Sequence, residues 1–147
     1  MTPPPGPTAC LDEAAIAATL EIIAFDDAGL VPAVAQQHDS GEVLMLAWMN
    51  REAVAETLRT GRPCYWSRSR GRLWRKGETS GQGQRLVDLV VDCDGDTLLL
   101  KVDQTGVACH TGRRSCFFTA ARPEGPKVIA EVEVDPARLY PDATPDR

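Results

Sequence analysis

The residues best suited to chemistry are carboxylates and thiols in the second half of the chain. Positions 92–96 read Asp-Cys-Asp-Gly-Asp, and Cys109, His110 and Cys116 follow a short distance later. Carboxylate oxygens are the ligands of Mg²⁺, Mn²⁺ or Ca²⁺, whereas a cluster of thiolates suits Zn²⁺. This part of the sequence therefore offers ligands for two chemically different metals, which is more than a structural turn needs.

A calcium-binding EF-hand loop is an alternative reading of the carboxylates. That loop needs glycine at its sixth position, where this chain has Thr97. It would also place the apolar run 97–102 in a coordinating loop instead of a strand. A hairpin turn centred on Asp94 and Gly95 is expected in any case, and it is compatible with metal binding because a hairpin tip can present alternate side chains on one side.

The cysteines do not indicate a disulfide framework. Their number, five, is odd, and the amino end has no charged start followed by an apolar run that would mark a secretory signal. We therefore expect a reducing, cytoplasmic location, where thiols serve as metal ligands, catalytic groups or small core residues. The spacings 93–109 and 109–116 match no zinc finger, so spacing leaves metal binding and core packing both open. Cys64, in an apolar run, is expected in the core.

Composition indicates one globular domain with an uneven charge distribution. The chain has 147 residues, 43% of them hydrophobic, and its formal charge is -5, which argues against general nucleic-acid binding; no stretch is long enough to span a membrane. Residues 59–77 nevertheless hold seven of the 16 basic residues and none of the 21 acidic ones. This concentrated positive segment predicts a phosphate-bearing partner, large or small. We expect a disordered proline-rich tail at 1–10, one domain over 11–135 and a tail at 136–147.

Two helices are predicted to support these groups. Asp12 can cap a helix that continues through the alanines towards Ile23, and a second helix is bounded by the N-cap Asn50 and the stop signal Gly61. A functional loop is expected over 105–115, and the glycine-rich segment 77–83 has a composition that lets the backbone approach an anion.

Strand patterns fill most of the remaining sequence. The predicted strands are 31–37, 43–48, 64–67, 73–75, 84–91, 97–102, 116–120 and an edge strand at 128–134. Together these elements predict an α+β fold with a curled, mostly antiparallel sheet or pseudo-barrel and a short capping helix at about 50–60.

Several motifs occur together in an order that resembles one enzyme family, phosphoribosyl-AMP cyclohydrolase, which opens the adenine ring early in histidine biosynthesis. The resemblance extends over residues 27–118. Its segments are Gly-Leu-Val-Pro-Ala (29–33), Val-Leu-Met-Leu-Ala-Trp-Met-Asn (43–50), Ser-Arg-Ser-Arg (67–70), Leu-Trp-Arg-Lys-Gly-Glu-Thr-Ser-Gly (73–81), Asp-Cys-Asp-Gly-Asp (92–96), Cys-His-Thr-Gly (109–112) and Ser-Cys-Phe (115–117).

The resemblance implies an intertwined homodimer with zinc at the subunit interface. Carried over to this sequence, Cys93 of one chain would bind zinc together with Cys109 and Cys116 of the other. The family's magnesium site falls on Asp92, Asp94 and Asp96. One departure is Gln82, which stands where relatives often have His or Asn, so an essential proton transfer is not assigned to that position.

The implied reaction is attack of water on C6 of the adenine, followed by cleavage of the N1–C6 bond. A zinc-activated water is suited to this step, because zinc can lower the pKa of water from ~15.7 to ~7, and zinc deaminases attack the same adenine carbon. His110 can act as general base or proton donor, or can orient a zinc ligand, and both roles remain open. Glu78 is the rival acid or base.

The substrate would have two phosphates and a purine. Phosphate contacts are predicted from one group of cationic and hydroxyl side chains, and Trp66 or Trp74 can stack on the base, although a solvated arginine face and buried tryptophans are the alternative. The predicted contacts are Arg68, Ser69, Arg70, Arg75, Lys76, Thr79 and Ser80, with Trp74. A zinc-stabilised single-strand nucleic-acid-binding module and a purely structural zinc-linked dimer are the rival functions.

Overall fold

The computed structural model describes residues 11–139. Its two longer helices begin at the expected N-caps, and the second also ends at its expected stop signal. Helix α1 (Glu13–Glu21) starts where Asp12 Oδ1 accepts a hydrogen bond of 2.8 Å from Ala15 N. Helix α2 (Arg51–Thr60) starts where Asn50 Oδ1 accepts one of 2.8 Å from Ala53 N, and it ends at Gly61 in the left-handed conformation, with φ 74°. Capping residues read from the sequence therefore predicted both helices.

Six strands form one curled sheet of half-barrel shape. Their order across the sheet is β4-β3-β2-β1-β6-β5, and only the β1–β6 pairing is parallel. The predicted α+β class with a mostly antiparallel sheet is confirmed. The strands are β1 (Val31–Gln37), β2 (Val43–Met49), β3 (Cys64–Ser67), β4 (Arg72–Arg75), β5 (Gln84–Val91) and β6 (Leu98–Gln104).

The core lies between one face of the sheet and the two helices. Strand β1 alternates buried and half-buried residues along its whole length, as does β6. Val54 and Leu58 of α2 pack into the same cluster, as their one-turn spacing predicted. Cys64 is fully buried there as well, and burial raises the pKa of its thiol to about 12, so it is a core residue as expected.

The end of the described chain differs from the sequence prediction. Of the strand expected at 116–120 only β7 (Thr119–Ala120) forms, and of the edge strand expected at 128–134 only Val128 is in a strand, β8 (Lys127–Val128). These two pair with each other, apart from the main sheet. The reason is that the backbone on either side bonds elsewhere. Cys116 N donates to Leu44 O, and Glu133 N donates to Gly112 O.

A short helix, α3 (Pro136–Leu139), closes the described part, and its Leu139 packs on Val107 of the 105–115 loop. The predicted amino-terminal tail, 1–10, and residues 140–147 lie outside the described residues, so the domain boundaries remain predictions. None of the helices between residues 11 and 139 combines the length and apolar character needed to cross a membrane.

Candidate metal and substrate site

The Asp92–Asp96 turn is the tip of the β5–β6 hairpin, and hydrogen bonds to its first aspartate stabilise it. Asp92 Oδ1 accepts hydrogen bonds from Asp96 N at 3.0 Å and from Thr97 N at 3.3 Å. Gly95 is in the left-handed conformation, with φ 77°, and a Cβ there would lie 2.5 Å from Ile22 O at the end of α1. Ala24 N donates to Gly95 O at 2.7 Å. The tip is thus fixed against the segment that follows helix α1.

The tip concentrates negative charge at the surface. One ligand atom each from Asp92, Cys93 and Asp94 lies within 4.8 Å of the others, and all three residues are exposed. The pKa of Asp96 is raised, first by a hydrogen bond with the Asp92 side chain and then by the charges of Asp92 and Asp94. A cation would offset the repulsion that neighbouring carboxylates exert on Asp96, so this donor set fits a hard divalent ion.

The other two candidate zinc ligands lie together in the 105–115 loop and its continuation. Cys109 is 3% exposed, and a hydrogen bond with the Cys116 side chain lowers its pKa to about 5 despite the opposing effect of burial. Thr111 Oγ1 also donates to Cys109 Sγ, at 3.1 Å. A thiol poised as thiolate beside a second thiol is the donor chemistry that zinc selects.

The backbone around the two thiols is held by hydrogen bonds. Cys109 N donates to Arg113 O at 3.1 Å, and Cys116 N donates to Leu44 O, in strand β2, at 2.7 Å. Gly112 turns the chain between them with φ +87°, and a Cβ on it would lie 1.8 Å from Val134 O. Only glycine therefore fits at this position.

A buried set of glutamines supports the start of the same loop. Gln104 Nε2 donates to Thr105 O at 2.8 Å, to Gln82 O at 3.0 Å and to Val107 O at 3.3 Å. Its Oε1 accepts from Gln84 Nε2 at 2.9 Å. Gln82 Oε1 in turn accepts from Val107 N at 3.1 Å. Gln82, the departure from the family pattern, therefore has a structural contact with the loop.

Arg114 and Tyr65 complete this polar network. The Arg114 guanidinium donates to Gln104 O at 3.1 Å, to Gly106 O at 2.5 Å and to Gln37 Oε1 at 3.1 Å. The Tyr65 hydroxyl donates to Gln84 Oε1 at 2.7 Å. Sequence reasoning missed these residues. One sequence signal could have indicated this buried polar network. Gln104 is polar, although the other inward-facing residues of β6 are Leu98, Leu100 and Val102.

Cys93 and the Cys109–Cys116 pair lie at opposite ends of strand β6. Cys93 precedes the strand's first residue, whereas Cys109 follows its last. Seven residues of strand span roughly 20 Å, and among residues 11–139 the only metal-like group of three is Asp92, Cys93 and Asp94. One chain by itself therefore brings two of the three predicted thiol ligands together.

An open groove of about 730 Å³ adjoins Cys116. Its lining combines aromatic side chains, hydroxyls and one arginine with the thiol. The Arg68 guanidinium lies 4.5 Å from the centre of the Trp48 ring. This volume falls in the usual range for small-molecule sites. The lining residues are Leu46, Ala47, Trp48, Trp66, Ser67, Arg68, Ser69, Trp74, Cys116 and Phe117.

The predicted phosphate contacts divide between two places. Arg68 and Ser69 line the groove, and Arg70 follows them on the same exposed turn. Trp74 is 4% exposed and packs on Tyr65, with ring centres 4.9 Å apart, so little of its surface is available to a ligand, whereas Trp66 is half-buried.

A second cavity of about 310 Å³ lies beside the glycine-rich segment, and of the remaining predicted contacts Arg75 and Lys76 line it, whereas Thr79 and Ser80 do not. Glu78 lines it as well. The Arg75 guanidinium donates two hydrogen bonds to the Glu56 carboxylate, at 2.8 and 2.6 Å. Lys76 also lines this cavity, but its Nζ donates to Ala108 O at 2.7 Å. Thr79 is exposed, and Ser80 Oγ accepts from Gln82 N.

The two candidate acid–base residues are not brought together by any described contact. His110 is exposed on the thiol loop, where its charge lowers the pKa of Cys109 by a small amount compared with Cys116. Glu78 is exposed at the second cavity, with its backbone N–H donating to Arg75 O. The assignment of the proton-transfer residue therefore remains a prediction.

Comparison with known proteins points to one family. Residues 45–118 match the family model described as phosphoribosyl-AMP cyclohydrolase. The chain is 73% identical over 124 residues to the phosphoribosyl-AMP cyclohydrolase of Paramagnetospirillum magneticum, covering 84% of this chain and 94% of the relative. It is 68% identical to the enzyme of the same name from Alkalilimnicola ehrlichii, covering 84% and 87%, and 67% identical to that of Granulibacter bethesdensis, covering 82% and 94%.

Proposed function

The chain belongs to the phosphoribosyl-AMP cyclohydrolase family, and from this membership we propose how its described residues perform the reaction. The family reaction is a hydrolysis in histidine biosynthesis. The substrate is 1-(5-phosphoribosyl)-AMP, and the bond cleaved is N1–C6 of the adenine ring. The product is the phosphoribosyl-formimino aminoimidazole carboxamide ribotide.

The observation that supports this chemistry best is the position of the thiol pair next to the groove. Cys116 is itself a lining residue, and its hydrogen-bond partner Cys109 is poised as thiolate. The same groove presents Trp66, which can stack on a purine, and Arg68, which can bind a phosphate. A nucleotide placed there would have its base near the thiols and a phosphate near the arginine.

The donor chemistry of the two thiols fits zinc, with Cys93 as the third ligand, and that of Asp92, Asp94 and Asp96 fits magnesium. When bound, zinc would supply Lewis-acid activation of the attacking water, and magnesium would offset the negative charge of the substrate's phosphates. The protein's own part is to hold Cys109 deprotonated and the thiol pair fixed, which the Thr111 hydroxyl and the loop hydrogen bonds support.

A second copy of the chain would supply the missing thiol. Because Cys93 stands at the far end of β6, a complete set of three thiols needs the hairpin tip of a partner subunit. Apolar side chains at the edge of the groove agree with such an interface, since Phe117 is 57% exposed and Leu46 is 37% exposed. We therefore propose an intertwined homodimer with shared sites, located in the cytoplasm, where thiol ligands stay reduced.

Proton transfer is assigned to His110, with Glu78 as the alternative. His110 follows a zinc ligand directly and is exposed, so it can reach a water or the ring nitrogen of a bound substrate. Substrate phosphates are assigned to two regions. Arg68, Ser69 and Arg70 are proposed to bind one phosphate at the groove. Arg75 is proposed to bind the other at the second cavity, with Thr79 and Ser80 in the segment between its lining residues Glu78 and Gly81. The two regions match the two phosphates of the substrate.

The decisive experiment is incubation of the purified protein with 1-(5-phosphoribosyl)-AMP, Zn²⁺ and Mg²⁺ while the ultraviolet absorbance of the purine is followed. Ring opening is expected with both metals and not after chelation of zinc. His110→Ala should reduce turnover by about 100-fold or more while the bound zinc changes little. Equal losses of zinc and turnover would instead assign His110 to ligand orientation.

A single-strand nucleic-acid-binding module is the remaining alternative, and the same preparation tests it. Such a module would bind oligonucleotides with an affinity that falls steeply with salt, and it would not open the purine ring. Turnover without salt-dependent oligonucleotide binding supports the hydrolase, and the reverse result would refute it.

A further inference from the structure

Lys76 differs from the other basic residues of its segment because its side chain lies inside the protein. It is 7% exposed, whereas Arg68, Arg70 and Arg72 are all exposed. Lysine is rarely buried without a partner, since removing an ammonium group from water is costly. Its Nζ donates a hydrogen bond of 2.7 Å to the carbonyl oxygen of Ala108. The Lys76 ammonium group therefore makes a direct contact with the protein's own backbone.

The carbonyl that Lys76 contacts belongs to the peptide unit between Ala108 and Cys109. Ala108 is fully buried and Cys109 is 3% exposed. The N–H of the same peptide unit donates to Arg113 O at 3.1 Å. Both polar groups of this peptide plane are thus fixed, one by Lys76 and the other by the loop itself. Fixing the plane restricts the direction in which the Cys109 side chain leaves the backbone.

The backbone of Lys76 is anchored as well, so the contact joins two separate parts of the fold. Lys76 directly follows strand β4, and its N–H donates to Pro63 O, just before strand β3. Its side chain then extends to a loop 32 residues further along the chain. A cationic donor on a long stem can make such a connection across the interior, whereas the hydroxyl side chains nearby are too short.

We propose that Lys76 is a positioning residue for the Cys109 thiolate and not a contact for substrate phosphate, an inference that rests on the proposed function of the thiol pair. Its hydrogen bond to Ala108 O holds the peptide that leads into Cys109, and it thereby keeps Cys109 Sγ beside Cys116. Loss of the ammonium group releases the Ala108 carbonyl and loosens the loop at the point where it must present a metal ligand.

The test compares Lys76→Met, which keeps the length of the stem but removes the ammonium group, with Lys127→Met as the matched control. Lys127 is exposed on β8, and none of the proposed site residues lies there. Three properties are measured for each dimeric protein. These are the zinc affinity by competition with a chromogenic chelator, amide hydrogen exchange of the 105–116 loop, and the KM and kcat for ring opening.

For Lys76→Met we expect zinc affinity to fall about tenfold or more, amide exchange of the loop to rise, and kcat to fall while KM stays within about twofold of the wild-type value. Lys127→Met should match the wild type in all three. A KM raised about tenfold with unchanged zinc affinity and loop exchange would identify Lys76 as a phosphate contact and overturn the proposal, as would a variant indistinguishable from Lys127→Met.

Lys76→Gln serves if Lys76→Met does not fold, as judged by circular dichroism, with Lys127→Gln as its control. The same changes in zinc affinity and loop exchange support the proposal, and a change confined to KM refutes it. The loop-exchange result is independent of catalysis, so it decides the role of Lys76 even if the wild-type protein proves unable to open the ring. In that case the proposed function fails separately.

Discussion

Replacement of Gln104 by leucine is expected to be one of the most damaging single changes near the thiol loop. The Gln104 side chain is 6% exposed and makes four hydrogen bonds, three through Nε2 and one through Oε1. Leucine has a similar size but can make none of them. Gln84 would lose its acceptor on Gln104, and the carbonyls of Thr105 and Val107 would lose their shared donor.

The cost follows from the number of buried polar groups left without this partner. Each such group costs about 1–3 kcal/mol, and the apolar area gained by leucine offsets part of the sum, so the free energy of unfolding should fall by about 3 kcal/mol. With a urea dependence of about 1.5–3 kcal/mol per molar, the unfolding midpoint should move down by about 1–2 M.

Urea unfolding followed by circular dichroism measures this change, and Gln36→Leu is the matched control. Gln36 is half-buried and its Nε2 makes one bond of 3.0 Å, to Gly41 O at a hairpin turn. The Gln36→Leu substitution should therefore lower the free energy of unfolding by only about 0.5 kcal/mol. If Gln104→Leu lowers the unfolding free energy by less than about 1 kcal/mol, or by no more than Gln36→Leu, the glutamine network does not stabilise the loop as argued.

Three further outcomes are expected. Gly112→Ala should cost about 3 kcal/mol or more in urea unfolding, because its Cβ would lie 1.8 Å from Val134 O, whereas Gly81→Ala, at φ +76° with nothing within 4 Å, should cost about 1 kcal/mol; equal costs would contradict the steric argument. The Arg75 guanidinium holds the pKa of Glu56 below its usual 4.5, so the pair stabilises the fold above that pH and ceases to do so as the pH falls further. Glu56→Gln should therefore lower stability by about 0.5–1 kcal/mol at pH 7 and leave it unchanged at about pH 2, and a loss of equal size at both would exclude the ion pair as the cause. In the zinc-free protein the ultraviolet thiolate signal that Cys109→Ser removes should titrate near pH 5, and a midpoint near 9 would show that the Cys116 hydrogen bond does not act in solution.

Local signals in the sequence were sufficient for most of the fold. Strands β1 and β3 and helix α2 have the predicted bounds, because alternation, capping by Asn50 and the Gly61 stop act over a few neighbouring residues. Strand predictions failed at 116–120 and 128–134, where the residue types permit strands but the backbone bonds to Leu44 and Gly112 instead. Those partners are distant in sequence, so no local pattern could indicate them.

The same division between local sequence signals and tertiary structure applies to the site. Residue types in the sequence identified the thiols and carboxylates as candidate ligands, because ligand chemistry belongs to individual side chains. The family resemblance implied that Cys109 and Cys116 of one chain act with Cys93 of another, and the tertiary structure supplied the physical basis, since Cys109 and Cys116 are neighbours while Cys93 lies beyond the other end of β6. The tertiary structure alone placed Arg68 in the groove and Lys76 in the interior, although both are cations of one basic segment. Burial and distance depend on how the chain packs, and a linear pattern of charges does not contain that information.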